Sequence, residues 1–151
     1  MFAHDMEFKK YDTLNSQHVS EIKRALYYGV RNPYATKKDL KVGDFKDDIH
    51  WAATVADTAE QRKRLREVAD RYGLEELNTR YVSSTNEIVF HMLLGEGYSI
   101  MDSYVLQDTP KDIKILPLDE LDPVKVSLFW DKSNMNPCIP LFCDEMKQYV
   151  N

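Results

Sequence analysis

Leu77-Asn78-Thr79-Arg80-Tyr81-Val82, followed by Ser83-Ser84-Thr85-Asn86-Glu87 and closed by Gly95-Glu96-Gly97-Tyr98-Ser99-Ile100, is the stretch that decides the fold. The first six residues are rich in β-formers and predict a strand. Ser84 and Glu87 stand three apart, the spacing of a capping box in which Ser84 accepts a backbone N–H and Glu87 returns the bond. Ile88, Val89, Met92 and Leu93 repeat as one apolar stripe of a helix. Gly95 falls where a left-handed residue ends such a helix, and Tyr98 to Met101 resumes extended structure. A helix bridging two strands without a hairpin turn predicts a right-handed crossover with the strands parallel.

Upstream of this unit, Ser20 to Leu26 would suit a helix, but Val19 to Val30 is read as one strand because its aromatic and β-branched end runs into Gly29 and Asn32-Pro33. Met1 to Ala3 fits the end of another strand, which puts His4 and Asp5 at its carboxyl end. Ile49 to Ala53 is a short buried strand. The longest helix opens at Asp57-Thr58, carries Leu65, Val68, Ala69 and Tyr72 inward, and stops at Gly73. Its charge run Gln61-Arg62-Lys63-Arg64 lies between Glu60 and Glu67 and reads as a wet helix face rather than a nucleic-acid patch. Downstream, Ile113 to Leu116 and Val124 to Trp130 are strands. Ile139, Phe142, Cys143, Met146, Tyr149 and Val150 follow helical spacing. Alternation of strands and helices predicts an α/β fold with mainly parallel pairing.

Bulk properties exclude several classes. A chain of 151 residues forms one domain or two small lobes, and 43% hydrophobic with 30% charged residues is ordinary for a globular protein. A net charge of −5 gives no electrostatic footprint for nucleic acid or anionic membrane, so no direct nucleic-acid contact is expected from this chain. No apolar run reaches the roughly 20 residues of a membrane span, and the first five residues do not form a signal peptide. The expectation is a cytoplasmic protein away from the membrane, which also tells against an exported solute receptor. Cys138 and Cys143 have no histidine pair at zinc spacing and read as plain thiols. There is no nucleophile elbow, no phosphate-cradling glycine loop and no HExxH, so no catalytic residue, metal or cofactor is expected. Glu87 or Asp57 with His91 is the one acid–base pairing that can be drawn, and Glu87 with His91 reads as a surface pair on one helix. His18 and His50, like His91, read as surface or strand packing.

The ordered set of motifs resembles the effector-binding domain of LysR-type transcriptional regulators. It runs through Tyr27-Tyr28-Gly29-Val30, Asn32-Pro33-Tyr34-Ala35, Leu40-Lys41-Val42-Gly43-Asp44-Phe45, Ile49-His50-Trp51-Ala52 and the helix closed by Gly73. It continues through Tyr81-Val82-Ser83-Ser84, the Asn86 to Leu94 helix, the Gly95 to Ile100 turn, Val124 to Trp130 and Pro140 to Tyr149, and so spans about residues 18–150. Two departures stand out. Met101-Asp102 occupies the place where the family usually has a proline, and the winged helix-turn-helix, linker helix and first two βα units have no counterpart.

The resemblance implies an α/β, type II periplasmic-binding-protein-like fold with one complete βα subdomain plus a partial second. Residues 1–30 would supply late strands of the first subdomain, 31–123 the whole second, and 124–151 the return strand and last helix of the first. It also implies a small-molecule effector held in a cleft between two lobes, joined by crossing strands near Val30 and Val124. Candidate ligand-binding residues are Thr54, Val55 and Ala56 at one helix start, Ser83, Ser84 and Thr85 at the other, and His4 and Asp5 from the first lobe. Hydroxyls and free amides at helix N-termini suit a carboxylate or other anion. The bland alternative for Ser84, Asp57 and Thr58 is helix capping alone, and for His4 a frayed terminus. Homo-oligomerisation is expected because the shortened first lobe leaves apolar surface. The alternative function is a ligand-free oligomerisation or interaction module derived from the same domain.

Overall fold

The computed structural model describes residues 1–4, 11–103, 106 and 108–146, of which residues 2–4 are described by their backbone only. The strands are β1 (Phe2–His4), β2 (Leu14–Ile22), β3 (Arg24–Gly29), β4 (Ile49–Ala53), β5 (Asn78–Val82), β6 (Tyr98–Asp102), β7 (Ile113–Pro117) and β8 (Val124–Asp131). The helices are α1 (Ala59–Tyr72), α2 (Thr85–Leu94) and α3 (Cys138–Met146). The chain divides into an outer unit, residues 1–23 with 122–151, and a central unit, residues 24–121.

The central unit is a five-stranded sheet in the order β5-β4-β6-β3-β7. β4 runs parallel to β5 and to β6, while β3 runs antiparallel to β6 and β7. β3 is buried almost throughout because helices cover both faces of the sheet, so its sequence shows no alternation. On one face Leu26, Tyr28, Tyr98 and Ile100 meet Leu65, Val68 and Ala69 of α1, with Phe45 packed among Tyr28, Tyr34 and Tyr98. On the other, Tyr27, Trp51, Ala53, Val82 and Ile113 meet Ile88 and Met92 of α2. Buried Asn32 ties the two ends of the sheet's connections together. Its amide nitrogen donates to Asp48 Oδ2 at 2.8 Å and the Gly97 carbonyl at 3.1 Å, and its oxygen accepts from the Tyr34 N–H at 2.9 Å.

The outer unit is a three-stranded antiparallel sheet, β1-β8-β2, with a register shift in β2 between His18 and Ser20. Among its described residues Val19, Leu128 and Cys143 form a buried cluster, with Trp130, Ile139 and Met146 partly buried against it.

Several sequence expectations need correction. Pairing is not mainly parallel. Two pairings among the described strands are parallel and four antiparallel, because helical crossovers link only β4, β5 and β6. Val19 to Val30 is not one strand but parts of two, broken at Lys23; Arg24 to Gly29 pairs in the central sheet rather than with the outer strands. The capping box at Ser84 is half made: Ser84 Oγ accepts from Glu87 N–H at 3.3 Å, but the Glu87 carboxylate turns to Ser83 instead. Arg64 leaves the wet face of α1. Its side chain is 5% exposed and pairs with Glu60 one turn back at 3.3 Å. Tyr149 and Val150 lie outside the described residues.

Candidate functional site

In a sheet with parallel strands and covering helices, ligands are held beyond the carboxyl ends of the strands, where helix N-termini converge. In the central unit that position is a pocket of about 230 Å³ at the carboxyl ends of β4 and β6 and the start of β3. Ala52, Ala53, Leu65, Ile88, Ile100 and Met101 form its apolar wall. Arg24, His50, Gln61, Ser99, Thr85 and Asp102 supply its polar groups.

Strand register explains how these groups meet. Arg24 lies opposite Asp102 in the β3–β6 pair, and His50 lies opposite Thr79 in the β4–β5 pair and Tyr98 in the β4–β6 pair. The Arg24 Nε stands 3.9 Å from Asp102 Oδ1, with the two side chains 10% and 17% exposed. Burial first, and the neighbouring Arg64 second, lower the Arg24 pKa by more than Asp102, Glu67 and Glu60 restore. His50 is fully buried, stacks at a tilt on Tyr98 and shares a 3.0 Å hydrogen bond between Nδ1 and Thr79 Oγ1. Its Nε2 has no hydrogen-bond partner among the described residues. Burial drives its pKa from the ordinary 6.5 down to about 4, so the ring is neutral at pH 7. Ser99 Oγ is already committed, donating to the Trp51 carbonyl at 2.8 Å.

The residues singled out from sequence are placed as follows. Val55, Ala56 and Thr85 line this one pocket, Val55 at its exposed rim. Thr54 turns its hydroxyl away and donates to the Val82 carbonyl at 2.9 Å. Ser84 caps α2, and Ser83 binds Glu87 Oε2 through its N–H at 2.9 Å and its hydroxyl at 2.7 Å. Thr58 caps α1 by accepting from Gln61 N–H at 3.1 Å. Asp57 accepts from Arg62 at 2.6 Å and from the Tyr81 hydroxyl at 3.0 Å. His4 is described only as backbone, at the end of β1, and Asp5 lies outside the described residues. Sequence reasoning missed Arg24, Gln61 and Asp102 and set His50 aside as packing. A histidine inside a short apolar strand was the signal available for one of them.

The drawn acid–base pair does not form. Glu87 is held by Ser83, whose two hydrogen bonds lower its pKa, and His91 Nδ1 pairs with Glu96 Oε2 at 2.8 Å while stacking on Trp51 at 3.9 Å. No group of three His, Cys, Asp or Glu side chains that could hold a metal ion occurs among the described residues. Cys138 is exposed and Cys143 buried, both as free thiols. No helix among the described residues is long and apolar enough to cross a membrane. Two broader depressions, one against α3 in the outer unit and one between α1 and β5, are not lined by His50 or Arg24.

No protein-family model and no curated protein sequence matches the chain. Solved structures do. The BenM effector binding domain with its effector benzoate superposes with a TM-score of 0.75 at 14% identity, over 98% of this chain and 67% of that one. CbnR, a LysR family transcriptional regulator, gives 0.73 at 14% identity over 99% of this chain and 52% of its own. The CcmR regulatory domain of Synechocystis PCC6803 in complex with 2-PG gives 0.70 at 15% identity, over 98% and 71%. The chain therefore has the periplasmic-binding-protein-like α/β fold of LysR effector-binding domains, and it spans about half the length of the full-length regulator CbnR.

Proposed function

We propose that this chain is the small-molecule-sensing regulatory domain of a LysR-type transcription regulator, with its effector held in the pocket at the ends of β4 and β6. One observation carries the reading. In a fold whose solved examples include complexes with benzoate and 2-PG, the strand ends enclose a pocket lined by the half-buried Arg24 and by His50, whose Nε2 has no hydrogen-bond partner among the described residues. Chemistry on a substrate is not required. A ligand that binds one conformation better than another shifts the population, and the shift is the signal. The neighbours are regulators rather than enzymes, which supports a non-catalytic role. The acidic balance of the chain supports leaving DNA contact to another part of the regulator.

The test is thermal unfolding of the purified chain in a small-molecule extract freed of macromolecules. A ligand at a hundred times its Kd stabilises the native state by about 2.7 kcal/mol, so a rise in Tm of several degrees is expected. An unchanged Tm across extracts from cells grown under varied conditions overturns the reading. The ligand-free alternative rests on exposed apolar side chains in the outer unit, Met135 at 88% and Leu141 at 70% exposed. It gains ground if the chain self-associates in sedimentation while no extract stabilises it.

A further inference from the structure

The chain passes from the outer unit into the central one between Lys23 and Arg24, and leaves it between Leu121 and Asp122. Both crossings are tied to α1, one in its first half and one at its last turn. The first is tied through Arg24. Its Nη1 donates to the Arg64 carbonyl at 3.4 Å, its Nε stands 3.9 Å from Asp102 Oδ1, and its own carbonyl accepts from the Leu118 N–H at 3.1 Å. The second is tied through Glu120. Its N–H donates to the Tyr72 hydroxyl at 3.0 Å, and its carbonyl accepts from Arg71 Nη1 at 3.5 Å. Leu118 is buried in the same cluster as Leu65 and Val68 of α1, with Tyr72 and Leu121 packed against it. Arg64 and Tyr72 are eight residues apart, about 12 Å along a helix axis.

The two grips differ in quality. The hydrogen bond between Tyr72 and Glu120 has ordinary length, whereas both contacts of the Arg24 guanidinium are long. The weaker grip is the one at the pocket, which Arg24, Gln61, Leu65 and Asp102 all line. An occupant that fills the space beside Arg24 excludes water from it and strengthens its long contacts. α1 is one unbroken helix from Ala59 to Tyr72, so a shift at Arg64 is shared by Tyr72.

We propose that α1 is a clasp on the two crossings, held firmly at Tyr72 and loosely at Arg24, and that filling the pocket tightens both grips. This rests on the sensor reading above and names the residues through which an occupied pocket is felt where the central unit joins the rest of the chain. Arg24 and Tyr72 are positioning residues for the crossings.

The test is NMR hydrogen exchange on the full chain, read at the Arg24 Nε–H and at the Leu118 and Glu120 amides, with the Met92 amide as reference. Tyr72→Phe loses only the hydroxyl. It is expected to speed exchange about fivefold at Glu120 and, at the far grip, about threefold at the Arg24 Nε–H. Arg24→Gln is expected to speed exchange about threefold at Leu118 and also at Glu120. Arg24→Lys, which keeps the charge without the fork, gives a smaller effect of the same sign. A small-molecule fraction that raises Tm slows exchange at the Arg24 Nε–H and at Glu120 together in the unaltered chain. In Tyr72→Phe the same fraction still raises Tm but slows exchange at the Arg24 end alone.

A Tyr72→Phe effect confined to residues 118–121, an Arg24→Gln variant with unchanged exchange at Glu120, or a stabilising fraction that protects Arg24 but not Glu120 each overturns the inference. If a fraction raises Tm and these crossed effects are absent, the clasp falls and the sensor reading stands. If the crossed effects appear while no fraction raises Tm, the sensor reading falls and takes the pocket's control of the clasp with it.

Discussion

The two faces of the central sheet share the same five strands but are filled differently. The face under α2 is apolar through its middle, where Tyr27, Trp51 and Met92 pack with Met92 fully buried, and only its margin at Ala53 and Ile88 borders the pocket. The face under α1 is just as apolar through its middle, around Phe45, Val68 and Tyr98. Toward the carboxyl end of β6 it changes character, and Arg24, Arg64 and Asp102 take places that apolar side chains hold elsewhere, while buried His50 stands near the amino end of β4. Buried polar and charged groups destabilise a fold unless they are paired. The middle of each face is built for stability, and the margin where Arg24 and Asp102 stand gives up some of it to keep a polar cavity.

Truncation in the middle and at the margin separates the two roles most strongly. Met92→Ala, in the middle of the α2 face, is expected to lose about 4–5 kcal/mol, and Leu65→Ala, which borders the pocket and opens onto existing space, about 2–3 kcal/mol, both within the range for such cavities. Urea unfolding of both variants checks the order. Equal losses would blur the distinction between middle and margin.

The next effect is a pH dependence confined to the α1 face. A buried histidine whose folded pKa lies below its unfolded one is neutral in the native state, so the unfolded chain binds the proton first. Stability is therefore fully present above pH 6.5 and falls as pH drops from 6.5 toward about 4, by about 3 kcal/mol from this group. His50→Gln cannot titrate and is expected to flatten that part of the acid limb. Parallel acid limbs for the two proteins, measured by urea unfolding at each pH, would show that His50 is not held neutral.

Much of the architecture is legible in the sequence because the signals are local. Thr58 and Ser84 cap their helices, Gly73 and Gly95 end them in the left-handed region at φ 68° and 86°, and the apolar stripe of α2 faces the core. Strand direction was less legible. A continuous apolar run such as Ala25 to Tyr28 says that both sides are covered but not which neighbours it pairs with. The polar loops at Thr54 and Ser83-Ser84 are engaged locally: Thr54 and Ser84 bond backbone groups and Ser83 holds the Glu87 carboxylate, as polar residues at helix starts commonly do. The pocket's charged pair was hidden for a different reason. Arg24 and Asp102 are far apart in sequence and meet only because β3 inserts beside β6, a long-range pairing that no local pattern encodes. His50 is visible as a residue but not as an unpaired one, since Thr79 satisfies one nitrogen across the β4–β5 ladder and the other has no partner among the described residues.

The most direct measurement is an amide chemical-shift map of the chain titrated with the stabilising small-molecule fraction. Saturable shifts are expected to cluster at His50, Ala52, Val55, Thr85 and Asp102, with Met92 and Ile113 in the middle of the α2 face nearly unmoved. Shifts centred there or in the outer unit, with the pocket residues silent, would contradict the account.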